Sequence, residues 1–189
     1  MMTRPIFVVA LLAAGCSFFS RSKSTFYSIE PIAPGGAVAS LRGNPIAIDS
    51  IELPPGFDRR EIVVRKADHQ LDVRAAQQWS AILSQSVLHT LAYDLARRLP
   101  EGMVILPGQA KPNAPMRSID LAIEELAAGP DAKLVLDAHW IVHEPGHADA
   151  ARQERIEVVL KSLDGADIAA GMSQSLAALA DRIVARLGS

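Results

Sequence analysis

The sequence predicts a single-domain α+β sandwich, in which a mixed β-sheet is packed by two long amphipathic helices. Three observations carry that prediction. Several short runs alternate at period two or are rich in β-branched residues. Two segments, 75–99 and 171–187, repeat apolar residues at helical spacing. Proline and glycine punctuate the chain between these pieces, and no repeat at a 20–50 residue period interrupts the order.

Residues 25–32 read as a short extended piece, broken by Pro31, Pro34, Gly35 and Gly36. Ile46, Ile48, Ile51 and Leu53 alternate in part at period two and predict a strand, which Pro54, Pro55 and Gly56 stop. Ile62, Val63 and Val64 form a β-branched run within 61–65. The run at 71–73 follows a polar turn at 66–70, so the two pieces read as a hairpin. From 75 to 99, Trp79, Leu83, Val87, Leu91, Leu95 and Leu99 recur every four residues, widened by Ile82 and Leu88. That spacing predicts a helix with Trp79 in its first turns, ended by Pro100 and Gly102. Residues 103–106 read as a short buried strand and 107–115 as a loop. Strands follow at 117–126, where Ile119, Leu121 and Ile123 share a face, at 133–143, and at 153–163 beyond a turn at Gly146. The second helix, 171–187, presents Met172, Leu176, Leu179, Ile183 and Leu187 on one side.

Charge and cysteine usage narrow the function classes. Nineteen Lys and Arg against 21 Asp and Glu offer no basic field for nucleic acid. Only the N-terminus carries a long apolar run, which excludes a polytopic membrane protein. A single cysteine, Cys16, leaves no intramolecular disulfide and no cysteine-based zinc cluster.

That cysteine lies in an informative place. Arg4 supplies a positive n-region, Ile6 to Ala14 an apolar h-region too short to span a bilayer, and Ala13, Ala14 and Gly15 the small residues of a cleavage site. The stretch Leu12-Ala13-Ala14-Gly15-Cys16 resembles a bacterial lipobox. The resemblance implies removal of 1–15, thioether lipidation of Cys16 and acylation of the new N-terminus. Two or more acyl chains make such attachment stable, at roughly 0.8 kcal/mol per buried CH₂. Residues 16–25, serine-rich with Arg21 and Lys23, read as a lipidated terminus and flexible tether to a domain at 26–189. Ser17 after the cysteine favours the outer membrane, by analogy with other lipoproteins.

No catalytic or metal-ligating residue is assigned. The chain has no G-x-x-x-x-G-K-S/T loop, and Gly171-Met172-Ser173-Gln174-Ser175 departs from a nucleophile elbow at its last position. His139, His143 and His147 are spaced by four, the spacing of zinc ligands on one face of a helix. Their surroundings are rich in β-formers, and on a strand His139 and His143 stand roughly 13 Å apart, so they read as solvent-facing strand histidines beside Asp137. The charged cluster Asp58, Arg59, Arg60 and Glu61 after the Pro-Pro-Gly turn reads either as a structural fastening or as a partner contact.

These pieces together resemble the ABC-type transport auxiliary lipoprotein family, of the PqiC type. The matching features are the lipobox to Cys16, then Phe26-Tyr27-Ser28-Ile29, then Ile51 to Pro54 leading to Phe57-Asp58-Arg59. Ile62 to Arg65, Trp79 at the long helix, and Leu136-Asp137-Ala138-His139-Trp140 before the final helix complete the order. Arg60, Gln78, Ala81 and Ile82 stand where the family usually has other residues. The resemblance implies a non-enzymatic protein with no cofactor beyond the lipid on Cys16. It implies a docking subunit at the periplasmic face of the outer membrane, working beside an MCE-domain protein and ABC transporter components in intermembrane lipid transport. It also points to self-association. Phe57, Asp58, Arg59 and Trp79 are the candidate partner-contact or structural motif. An alternative from another class is an envelope lipoprotein that regulates a cell-wall enzyme, such as a peptidoglycan synthase activator.

Overall fold

A computed structural model describes residues 23–187. The elements are β1 (Thr25–Tyr27), β2 (Ile46–Glu52), β3 (Glu61–Arg65), β4 (Leu71–Trp79), α1 (Leu83–Arg98), β5 (Arg117–Ala128), β6 (Lys133–His143), β7 (Ala150–Val159) and α2 (Gly165–Leu187). The strands form one seven-stranded mixed sheet in the order β1-β4-β3-β5-β6-β7, with β2 added alongside β5. Pairs β1·β4, β2·β5 and β3·β5 are parallel; β3·β4, β5·β6 and β6·β7 are antiparallel. This is the α+β sandwich expected from the sequence.

Alternation on β6 fixes which face is covered. Leu134, Leu136, Ala138, Trp140 and Val142 are buried, while the intervening residues are partly open. The buried set joins Ile119, Leu121 and Ile123 of β5, Val87, Leu91 and Leu95 of α1, and Leu176, Leu179 and Ile183 of α2 in one core. Burying these side chains contributes about 1.5–3 kcal/mol each, the main force holding helices to sheet. The other sheet face is largely polar, as in a two-layer fold covered on one side.

The helix expected from residue 75 starts later. Residues 71–79 are strand throughout, paired with β3 on one side and β1 on the other, so Trp79 ends a strand and does not open the helix. Its indole is 1% exposed and lies in the same core as Leu83 and Val87. A fourfold spacing therefore continues across a strand–helix junction, because both sides of the junction point into one core.

Other boundaries shift less. Residues 103–106 are not a strand; Val104 makes only an isolated bridge to Ile46. The last strand runs from Ala150 to Val159, not 153–163. The second helix begins at Gly165, six residues before 171, with Asp167 in its first turn accepting a 2.7 Å hydrogen bond from Ser162 Oγ.

Candidate functional site

The strand β2 leads into a connection, residues 53–60, that folds over the outer face of the sheet. A turn there donates Phe57 N–H to Pro54 O (3.1 Å). Phe57 is 4% exposed and closes a small apolar cluster with Val63 of β3 and Ala127 of β5, separate from the main core. The Arg65 guanidinium lies over its ring, 5.3 Å from the centroid, and reaches Glu125 at 3.4 Å.

Asp58 takes the connection to the helix layer. The residue flanking α1, Ile82, offers no side-chain cap, and the first turn has no acidic residue. Asp58 Oδ1 instead accepts the backbone N–H of Ser84 at 2.9 Å. A carboxylate distant in sequence thus satisfies one of the orphan donors of the helix start and meets the positive end of its dipole. Arg59 Nε donates to Glu61 Oε2 at 3.0 Å. A backbone hydrogen bond and this arginine hold the Glu61 carboxyl below its usual range. Trp79 N–H donates to Arg60 O at 2.6 Å, and Ser80 N–H to Tyr27 O at 2.8 Å. Phe57 and Trp79 are both buried but lie in separate clusters on opposite faces of the sheet, and only Asp58 and the Arg60 carbonyl of the 53–60 connection reach the β4–α1 junction. Asp58 and Arg59 are exposed. Cys16 lies outside the described residues.

The open sheet face carries the histidines. His139 pairs with Glu124 at 3.2 Å. His143 bridges two acids, Nε2 to Asp120 at 3.0 Å and Nδ1 to Asp149 at 2.9 Å, and Ser50 Oγ donates to Asp120 from β2. The bond to Asp149 above all, then Asp120, raises the His143 pKa. The two histidines thus serve different acids, and among the described residues no three His, Cys, Asp or Glu side chains are grouped as metal ligands. Arg155 ties Asp137 (3.1 Å) to Glu125 (3.4 Å) on the same face.

A buried polar latch was not singled out from sequence. Arg98 of α1, 4% exposed, donates to Asp181 of α2 at 2.7 Å, to Asp94 at 3.2 Å and to Ile32 O at 3.0 Å. Asp94 Oδ1 also accepts Ile32 N–H at 2.8 Å, and Glu30 N–H donates to Ser173 Oγ at 2.9 Å. The segment after β1 is thereby tied to both helices through its own backbone, which has no ladder partner there. Burial pushes the Asp94 carboxyl up to about 6, against the pull of Ile32 N–H and Arg98. The sequence signal was Asp94 and Arg98, four apart, on the apolar stripe of Leu91 and Leu95.

Two hollows beside α1, of about 250 and 680 Å³, share Ile105, Leu106 and Gln109. Neither is lined by a histidine, cysteine or serine; the first carries the Lys111–Asp49 ion pair (2.6 Å) among its lining residues.

The sequence profile of the ABC-type transport auxiliary lipoprotein component matches residues 27–184, nearly all of the described domain. The chain belongs to this family. Its members are described as transport auxiliary components. The family description implies association with ABC transport systems and a place in the cell envelope. Among the described residues no helix is long and apolar enough to cross a membrane. Solved structures agree on the fold. One, described only as an uncharacterized protein, superposes with a TM-score of 0.72 at 15% identity, covering 87% of this chain and 98% of its own. A second, from Xanthomonas campestris and assigned to the family DUF330, gives 0.63 at 13% identity, covering 85% and 92%. No curated protein matches the chain in sequence.

Proposed function

We propose that this auxiliary lipoprotein is the lipid-anchored docking subunit of an MCE–ABC-type intermembrane lipid-transport system, held at the periplasmic face of the outer membrane and supporting its integrity. The observation that carries the reading is the family match over 27–184, placed a few residues after Leu12-Ala13-Ala14-Gly15-Cys16. In this reading residues 1–15 are removed and Cys16 carries the acyl chains. The tether 16–25 then positions the domain, whose contribution is contact and placement and not bond-making. Asp58, accepting Ser84 N–H, and the bond from Trp79 N–H to Arg60 O hold the 53–60 connection at the helix start, while Phe57 seats it on the outer face. Arg59 and Arg60, exposed on that connection, are the groups offered to a partner or to a second copy of the chain.

Crosslinking the native lipoprotein in intact cells, followed by affinity purification in detergent and mass spectrometry, tests the reading. Recovery of an MCE-domain protein with an ABC permease or ATPase is expected, together with a leaky outer membrane in the deletion strain. Recovery of a cell-wall synthase in their place, with an intact barrier, overturns it.

A further inference from the structure

The outer face of the sheet carries charged pairs toward β7, with Val159 exposed at that end, and several exposed apolar side chains along β1 and β4. Val63 pairs with Val73, and Arg65 with Leu71. Val63 and Arg65 both pack with Phe57 on the face away from the helices, so Val73 and Leu71 share that face. Tyr27 packs on the main core, which turns its strand neighbour Phe26 to the same outer face. Phe26, Leu71 and Val73 are 59%, 43% and 40% exposed, with Leu71 and Val73 successive on this face of β4 and Phe26 beside Gln78 at its other end.

The direction of the chain says what meets this surface. Strand β1 runs parallel to β4, with Thr25 beside Gln77 and Tyr27 beside Trp79. The N-terminal end of β1 therefore points along β4 toward Val73, Leu71 and the 66–70 turn. About nine residues separate Thr25 from Cys16, a reach of at most ~30 Å. The strand from Gln77 to Leu71 covers roughly 20 Å of that distance. Acyl chains on Cys16 would enter the bilayer within reach of this end of the sheet. The adjoining turn exposes Lys66 and His69 beside Asp68, and Lys66 is of the type that places its charge among headgroups while its stem lies on apolar surface.

We propose that Phe26, Leu71 and Val73 form a membrane-contact patch, resting in the interfacial layer of the bilayer that holds the Cys16 lipid. The proposal rests on the lipid-anchor reading above. Interfacial contact adds to an anchor in proportion to the apolar area buried, and here it also fixes orientation. The domain would stand on the β1–β4 edge, with α1 and the β6–β7 end turned away from the membrane.

The test uses the full chain, expressed in a Gram-negative host and reconstituted into phosphatidylethanolamine–phosphatidylglycerol vesicles. Phe26→Cys, Leu71→Cys and Val73→Cys each receive an environment-sensitive fluorophore. Tyr93→Cys, on an exposed position of α1, is the control, and the unsubstituted chain labelled in parallel subtracts any signal from Cys16. These sites are exposed, so the fold is retained, which circular dichroism verifies. A severalfold rise in emission at 26, 71 and 73 on vesicles, quenched by brominated lipid and absent at 93, is expected. The mass of the N-terminal peptide reads the anchor separately. An acylated Cys16 with water-exposed labels at 71 and 73 overturns the patch and leaves the anchor standing. Shielded labels on an unacylated chain overturn the anchor and support the patch, and failure of both readouts overturns both.

Discussion

Asp94 shows what a single buried side chain does in this domain. It has no exposed surface, and its carboxyl titrates near pH 6 because burial disfavours its charge more than Ile32 N–H and Arg98 favour it. In the unfolded chain the same group titrates near 3.8. Between those values the unfolded chain has released the proton while the folded chain keeps it. The contribution of Asp94 to stability is therefore fully present below about pH 3.8 and is lost as pH rises to about 6. Asp94→Asn keeps an acceptor for Ile32 N–H and removes the titration. Urea unfolding of both proteins from pH 3.5 to 7 checks this: the stability of the parent relative to the variant falls across that window, on the order of a few kcal/mol. A constant difference places the shift elsewhere. At this scale the sequence was legible where chemistry is local. His139 and His143 alternate with buried residues on β6 as period two requires. The cap from Asp58 to Ser84 and the latch from Arg98 to Asp181 were not legible, since each joins residues that only the fold brings together.

Among the elements, the junction of β4 with α1 separates local pattern from tertiary pairing. Apolar spacing alone favoured helix from residue 75, but β4 is held by a ladder on each side, and the three residues of β1 that complete it carry little signal of their own. The later strands and α2 were legible because their periodicity is long and uninterrupted. How closely α2 seats on the sheet was not. A Cβ built on Gly171 falls 2.3 Å from Leu160 Cδ2 and 3.6 Å from Leu134 Cδ1, so the helix approaches β6 and the end of β7 through a position where a side chain would have to displace the Leu160 methyl. Gly171→Val is expected to cost about 1–3 kcal/mol by overpacking. Gly35→Val, where nothing lies within 4 Å, is expected to change stability by less than about 0.5 kcal/mol. Equal urea midpoints for the two variants would show that α2 is not seated so closely.

For the whole molecule, one sheet face covered by two helices and one left open gives a rigid unit with distinct sides. The 53–60 connection lies beside the β3–β4 hairpin, so Phe57 on that connection and Leu71 of the proposed membrane patch are neighbours. In that arrangement a lipid at one end sets where the remaining surface stands, and transport partners meet a domain already oriented. The family was legible in sequence because its motifs keep their order over the matched residues 27–184; the direction of β1 was not, because it depends on the parallel pairing of β1 with β4. The proposed anchoring depends on Cys16 being acylated. Intact-mass analysis of the N-terminal peptide from the native protein, with envelope fractionation of the parent and Cys16→Ala, tests it most directly. The expected result is a peptide beginning at Cys16 with the added mass of a diacylglyceryl thioether and an amide-linked acyl chain, in the membrane fraction, and a Cys16→Ala protein that leaves that fraction. A peptide bearing a free thiol, from protein recovered in the soluble periplasmic extract, would contradict it.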